Sequence, residues 1–79
     1  IMIKDKIELG SVNPQMILDK IEATYTDVNI DKTDGLKLSW NNSWVHIRKS
    51  NTEPIIRIYA EAPTRDEAEQ IIHQIKINL

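Results

Sequence analysis

The sequence predicts an α+β fold, a two-layer sandwich in which two helices cover one face of a four-stranded, mainly antiparallel sheet. In the middle of the chain, apolar and polar residues alternate with the period of two that is typical of strands. On either side of this region, apolar residues recur with the spacing of a helix. Successive strands between two helices indicate an antiparallel sheet with helices on its apolar face, and this leaves a polar face opposite.

Size and charge restrict what the chain can do. Hydrophobic residues make up 41% of the 79 positions, which is enough for one small core and no second domain. The 10 basic and 12 acidic side chains give a net charge of −2, which disfavours nucleic acid as a partner. The sequence has no cysteine and two histidines, so cysteine-ligated metal sites are excluded and no metal site is expected. No apolar run is long enough to predict a membrane span.

The first ten residues predict an incoming strand or a hinge segment. Ile3, Ile7 and Leu9 are apolar, and lysine and glutamate residues stand between them. We expect residues 11–79 to form the domain itself. Because the sequence begins with Ile and ends inside a helical pattern, we also expect it to be a piece of a longer protein.

A helix is predicted from Pro14 to Thr24. Asn13 is a favourable N-cap residue, and proline is tolerated at the first helical position because its missing N–H would have no partner there. Apolar residues recur on one side of this segment at Ile17, Leu18, Ile21 and Tyr25.

A hairpin is predicted around the Asp34-Gly35 pair, because both residue types tolerate the backbone of a tight turn. A strand containing Val28 and Ile30 precedes this turn, and a strand that starts at Leu36 follows it. Trp40 belongs to the apolar series of the second strand, so we expect it in the core.

A second hairpin is predicted at Asn41-Asn42. With a two-residue turn there, Leu38 pairs with Val45 and Leu36 pairs with Ile47. This register places every large aliphatic side chain on one face, whereas a slip by one residue would mix the two faces.

The last strand is predicted from Ile55 to Ala62, and pairing Ile47 with Ile56 would again bring aliphatic residues together. The same register would place His46 beside Arg57. A Thr64 N-cap starts the final helix. Its apolar residues have helical spacing: Ala68, Ile71, Ile72, Ile75 and Leu79.

The segment between the last two strands has the parts of a phosphate clamp. Arg48 and Arg57 lie on the polar face of neighbouring strands, and guanidinium groups match phosphate oxygens with two parallel hydrogen bonds. The loop between them adds hydroxyl groups and backbone amides that can converge on an anion. Its candidate binding residues are Ser50, Asn51 and Thr52. The spacing fits equally well an ordinary polar loop whose arginines pair with Glu53 and Glu61.

Two segments resemble a known family. Residues 34–37 read DGLK, and residues 44–62 read WVHIRKSNTEPIIRIYAEA. These segments are similar to the C-terminal, fourth domain of the α-D-phosphohexomutases, in the phosphomannomutase/phosphoglucomutase branch, and the resemblance covers roughly residues 28–79. It implies a TATA-binding-protein-like fold with a four-stranded antiparallel sheet and two helices. Asn51, where the glucosamine mutases have glycine, favours the phosphomannomutase/phosphoglucomutase branch.

The resemblance also implies which residues bind the substrate. Arg48, Ser50, Asn51 and Thr52 would hold the phosphate of a hexose phosphate, and Arg57 would support them. Members of the family interconvert hexose 1-phosphates and 6-phosphates through a bisphosphate intermediate, and they close this domain over the substrate by a hinge. The segment Leu9–Ser11 is a candidate hinge.

What the resemblance implies for the parent enzyme lies mostly outside this sequence. The phosphoserine loop, the magnesium loop and the sugar-selecting loop belong to three earlier domains, which would be partners of this one. We therefore expect no catalytic residue and no cofactor in these 79 residues, and no turnover by them alone. The parent is expected to be a cytoplasmic enzyme that uses Mg²⁺ and a hexose 1,6-bisphosphate.

Two other kinds of function remain open from the sequence. The α-β-β-β-α order is similar to that of double-stranded-RNA-binding domains, but such modules need lysines where the last helix starts. Here residues 64–67 read TRDE, which is net acidic. The alternative is an oligomerisation module that uses Trp44 and Tyr59, which the expected register places opposite each other on the polar face.

Overall fold

The computed structural model describes residues 1–79, which form a five-stranded antiparallel sheet and two helices. The strands lie in the order β1-β5-β4-β3-β2. The α+β prediction is confirmed, but the count of four strands was wrong. In chain order the elements are β1 (Met2–Glu8), α1 (Pro14–Thr24), β2 (Asn29–Asp31), β3 (Leu36–Ser39), β4 (Trp44–Lys49), β5 (Ile55–Glu61) and α2 (Arg65–Ile77).

The additional strand is β1, which lies at one edge of the sheet. It pairs with β5 over its whole length, from Met2 opposite Glu61 to Glu8 opposite Ile55. The alternation of residues 2–8 does not clearly predict a strand of the sheet, because Asp5 occupies a position on the helix-covered face, where an apolar residue is expected.

Both helices begin as their capping residues predict. The side chain of Asn13 accepts a hydrogen bond from the Gln15 amide at 2.9 Å, and the Thr64 hydroxyl accepts one from the Glu67 amide at 3.2 Å. Each helix packs its apolar side on the sheet. The buried helical residues are Leu18, Ile21, Ala68, Ile72 and Ile75.

The β3–β4 hairpin has the predicted register. Leu36 lies opposite Ile47 and Leu38 lies opposite Val45. The Trp40 amide donates to the Ser43 carbonyl at 2.8 Å, which closes the two-residue turn. All four aliphatic residues are at most 2% exposed, so burial of one continuous apolar face selects this register.

Trp40 is outside the core, contrary to the prediction. Strand β3 ends one residue earlier, at Ser39, and Trp40 belongs to the turn that follows. Trp40 is 36% exposed and contacts Tyr25 edge to face, with 6.1 Å between the ring centroids. The aromatic pair therefore covers one end of the core.

The predicted β4–β5 register was wrong by two residues. Ile47 lies opposite Ile58 instead of Ile56, and Arg48 lies directly opposite Arg57. A shift by two keeps every side chain on its predicted face, so the apolar pattern does not distinguish the two registers. Its consequences are confined to the polar face, where His46 lies opposite Tyr59 and Trp44 opposite Glu61.

The core is a single cluster of 14 buried residues between the helices and one face of the sheet. No polar or charged residue is buried. The opposite face of the sheet is uncovered, and its polar side chains contact solvent. Neither helix has the length and apolar character needed to cross a membrane.

We predict that Gly35→Ala destabilises the fold more than Gly10→Ala. Both glycines have left-handed backbones, with φ values of +70° and +59°. A methyl group on Gly10 would meet nothing within 4 Å, whereas one on Gly35 would lie 2.5 Å from the Ile47 carbonyl oxygen. The left-handed conformation alone costs about 1 kcal/mol for alanine. Urea unfolding should show that cost for Gly10→Ala and a clearly larger one for Gly35→Ala; equal losses would refute the role of the close contact.

We also predict that an ion pair joins β1 to α2 at neutral pH. Lys76 Nζ lies 2.6 Å from the Asp5 carboxylate, and this hydrogen bond lowers the pKa of Asp5 below its usual range, although partial burial opposes the shift. Because the folded pKa is lowered, the contribution to stability is present above the ordinary aspartate pKa of about 3.9 and is lost as pH falls through the lowered value.

The test compares Lys76→Met with Lys20→Met, which removes an exposed lysine that has no ion pair. Since both partners of the bridge are 39% exposed, the expected loss for Lys76→Met is only about 0.2–1 kcal/mol at pH 7. Denaturant unfolding should show this loss at pH 7 and a smaller loss at pH 2.5, where protonation of Asp5 weakens the ion pair. A loss of the same size at both pH values would contradict the electrostatic origin.

Candidate anion-binding site

The loop between β4 and β5 is held by hydrogen bonds within the hairpin and by one from Leu9, the residue that follows β1. The Ser50 amide donates to the Ile55 carbonyl at 3.0 Å, and the Leu9 amide donates to the Pro54 carbonyl at 2.9 Å. The Ser50 hydroxyl accepts from the amides of Thr52 and Glu53, both at 3.2 Å. These two amides are therefore already used inside the loop.

The two arginines of the predicted site lie directly opposite each other on β4 and β5. Like charges in this position repel, and each is balanced by a carboxylate. Arg48 Nη2 lies 3.2 Å from Asp34 Oδ2, and Arg57 Nη2 lies 3.2 Å from Glu53 Oε2. The expected pairing with Glu53 is present. The expected pairing with Glu61 is not formed, since Glu61 lies opposite Trp44, four residues along the strand from Arg57.

All five predicted binding residues line one open cavity of about 250 Å³ at the surface. Tyr59 lines the same cavity and was not among the predicted residues. The alternation of β5 could have predicted Tyr59 as a lining residue, because Tyr59 follows Arg57 by two residues and so lies on the same face of the sheet. Lys49, the last residue of β4, also lines the cavity. Alternation does not reveal Lys49, since its position pairs with the buried Ile56. The complete lining is Arg48, Lys49, Ser50, Asn51, Thr52, Arg57 and Tyr59.

The uncovered face of the sheet is positively charged around this cavity, although the chain as a whole has a net charge of −2. Lys6 lies opposite Arg57 on β1, and Lys4 lies opposite Tyr59. Lys37 lies opposite His46 on β3. None of these three lysines forms an ion pair. An anion near this face is therefore attracted by several cationic side chains, although the net charge of the chain is negative.

A structured turn connects β2 to β3 beside Arg48. At its start, the Asp31 carboxylate accepts the Thr33 amide at 2.8 Å, and hydrogen bonds from Thr33 lower the pKa of Asp31. At its end, His46 Nε2 donates to the Asp34 carbonyl. His46 thus contacts the turn instead of lying beside Arg57 as predicted.

The two aromatic residues of the polar face, Trp44 and Tyr59, lie apart from each other. Lys37 Nζ lies 4.8 Å from the centroid of the Trp44 ring, which is a cation–π contact. Trp44 and Tyr59 are not opposite each other, so the expected pair for an oligomerisation surface is not formed. Nowhere do three His, Asp or Glu side chains come close enough together to bind a metal ion.

Comparison with known proteins identifies the family. A model of the family described as phosphoglucomutase/phosphomannomutase, C-terminal domain, matches residues 8–77. A curated phosphoglucomutase/phosphomannomutase of Thermococcus kodakarensis is 46% identical over 43 residues, which cover 54% of this chain and 9% of the relative. A phosphoglucosamine/phosphogalactosamine mutase of Sulfurisphaera tokodaii is 33% identical over 78 residues, which cover 95% of this chain and 17% of that protein.

A solved structure is similar over the whole chain. It is a phosphoglucomutase/phosphomannomutase family protein from Burkholderia thailandensis, with a TM-score of 0.72 and 20% identity, and the match covers 100% of this chain and 17% of the other. At that identity the likeness shows the fold. The chain spans less than a fifth of the length of each of these three proteins. The family match over residues 8–77 shows that this chain belongs to the phosphoglucomutase/phosphomannomutase family and corresponds to its C-terminal domain.

Proposed function

We propose that this domain binds the phosphate group of a hexose phosphate in the cavity between Arg48, Arg57 and the Ser50–Thr52 loop. The parent enzyme would be a phosphohexomutase that interconverts hexose 1-phosphate and 6-phosphate through a bisphosphate intermediate. One observation supports this most strongly. Two guanidinium groups, two hydroxyl groups and one side-chain amide from separate parts of a hairpin line a single cavity.

The arginines retain donors for a ligand. Each guanidinium contacts its carboxylate through one Nη2 atom, and a guanidinium group has five N–H donors. The two side chains are 49% and 46% exposed, so an anion can reach them. A charge-assisted hydrogen bond contributes about 1.5–3 kcal/mol. A few such bonds give an affinity between micromolar and millimolar after the cost of association.

A site that recognises phosphate alone suits a mutase. The phosphate on carbon 1 and the phosphate on carbon 6 offer the same oxygens, so one clamp holds the unreactive end of the sugar in either orientation. Positioning dominates phosphoryl transfer, and holding the distant phosphate is a means of positioning the reacting one. The relatives are named for different hexoses and amino sugars, and phosphate is the group that their substrates share.

The rest of the proposed reaction belongs to the parent protein. Mg²⁺ would neutralise phosphoryl charge there, but no group of residues in this chain fits a metal ion. The partners of this domain would be the other three domains of that protein, and the 79 residues alone would have no turnover. We propose a cytoplasmic location, because charged sugar phosphates do not cross membranes readily.

We predict that inorganic phosphate shifts the amide resonances of Ser50 to Thr52 in an NMR titration of this chain. Arg48→Gln should weaken the apparent affinity roughly ten- to hundredfold, which corresponds to losing one charge-assisted contact. The matched control is Arg65→Gln, which removes an equally charged arginine that pairs with Glu69 on the outer surface of α2.

The proposal fails if saturating phosphate leaves these resonances in place, or if both arginine variants weaken binding equally. Titration with a short RNA duplex at two salt concentrations provides a second arm. Tight, salt-sensitive binding of the duplex with no response to phosphate would favour an RNA-binding module instead.

A further inference from the structure

The turn at Asp34-Gly35 touches Arg48 in two ways. The Asp34 carboxylate forms the ion pair with its guanidinium at 3.2 Å. The backbone of Gly35 lies against the stem of the arginine, since a methyl group on Gly35 would come within 3.2 Å of Arg48 Cγ and 3.3 Å of its Cα. One hairpin thus provides both a surface and a charge for a side chain that belongs to another hairpin.

We propose that Asp34 and His46 are positioning residues for the phosphate site, with Asp34 orienting the Arg48 guanidinium and His46 fixing the turn that carries Asp34. This inference rests on the proposed function. Neither residue lines the cavity, so each acts through another group. His46 donates from Nε2 to the Asp34 carbonyl, while the Asp34 carboxylate faces Arg48.

Arg48 needs such support more than Arg57 does. Arg57 has its carboxylate partner inside the binding loop, at Glu53. Arg48 has no carboxylate partner on β4, on β5 or in their loop, and its strand neighbour is the like-charged Arg57. An arginine side chain has many rotamers, and repulsion from Arg57 favours those that turn away from the cavity. The contact with the β2–β3 turn limits this freedom.

The turn itself is well suited to hold a side chain. The Asp31 carboxylate and the Thr33 amide close its first half, and His46 closes its second half. Gly35 allows the backbone to approach β4 closely, because its position tolerates no Cβ atom. The Asp34 carboxylate is therefore attached to a backbone that is fixed on both sides.

The direction in which neutralising Asp34 changes phosphate affinity distinguishes a positioning role from a purely electrostatic one. If Asp34 acted only as a negative charge near the site, its neutralisation would strengthen the binding of an anion. If Asp34 orients Arg48, neutralisation weakens binding, because the arginine must be ordered again when the phosphate arrives.

The test is a titration of this chain with inorganic phosphate, monitored at the amides of Ser50 to Thr52. Asp34→Asn should weaken phosphate binding about two- to fivefold, the range expected for one exposed ion pair. Without phosphate, ¹⁵N relaxation should show a lower order parameter for the Arg48 Nε–H group in this variant. Asp27→Asn is the matched control, since it makes the same change of charge in an exposed loop at the other end of β2.

A second pair of variants tests His46. His46→Ala should weaken phosphate binding in the same direction as Asp34→Asn, whereas His46→Gln should restore part of the affinity because its amide can donate to the Asp34 carbonyl. Equal losses for the two variants would show that packing, and not the hydrogen bond, is responsible, and would overturn the role of His46.

The remaining outcomes separate this inference from the proposed function. If the unmodified chain binds phosphate and Asp34→Asn binds it equally well or more tightly, the positioning role is refuted and the phosphate site stands. If affinity falls but the order parameter of Arg48 does not change, positioning is also refuted. If the unmodified chain does not respond to phosphate, the phosphate site and the positioning role are refuted together.

Discussion

The pairing of β4 with β5 is the constraint on which the candidate site depends. On the covered face it places Ile47 against Ile58, in the middle of the core, and on the open face it places Arg48 against Arg57. The same hydrogen bonds therefore stabilise the fold and bring two like charges together. A register displaced by two residues would move the arginines about 7 Å apart along the strands and would divide the cavity.

Bringing two guanidinium groups together has an electrostatic cost, and two carboxylates from different parts of the chain offset it. One carboxylate comes from the binding loop and the other from the β2–β3 turn. Both ion pairs are exposed, so each contributes little to stability. In the proposed site their effect would instead be on geometry, because a single contact limits the directions of a guanidinium without occupying all its donors. The proposed site would in this way hold a dianion on a domain whose net charge is −2.

Local pattern was sufficient for most of the fold. The period of two and the capping residues Asn13 and Thr64 predict the helices and the strands β2 to β5, because these features depend on neighbours in sequence. They also predict that Arg48, Arg57 and the Ser50–Thr52 loop share one place, and the structure brings them to one cavity. Strand β1 was uncertain, since Asp5 breaks its alternation and is accommodated only by Lys76 from the far end of the chain.

The sequence by itself determined the fold class, the apolar face of the sheet and the family, because burial patterns and motifs depend on residues that are close together in the sequence. Tertiary structure decided the β4–β5 register, the position of Trp40 outside the core and the contact of Asp34 with Arg48. The physical reason is the same in each case. A shift by two residues, the end of a strand and an ion pair between hairpins leave the apolar pattern unchanged, so only the packed chain distinguishes among them.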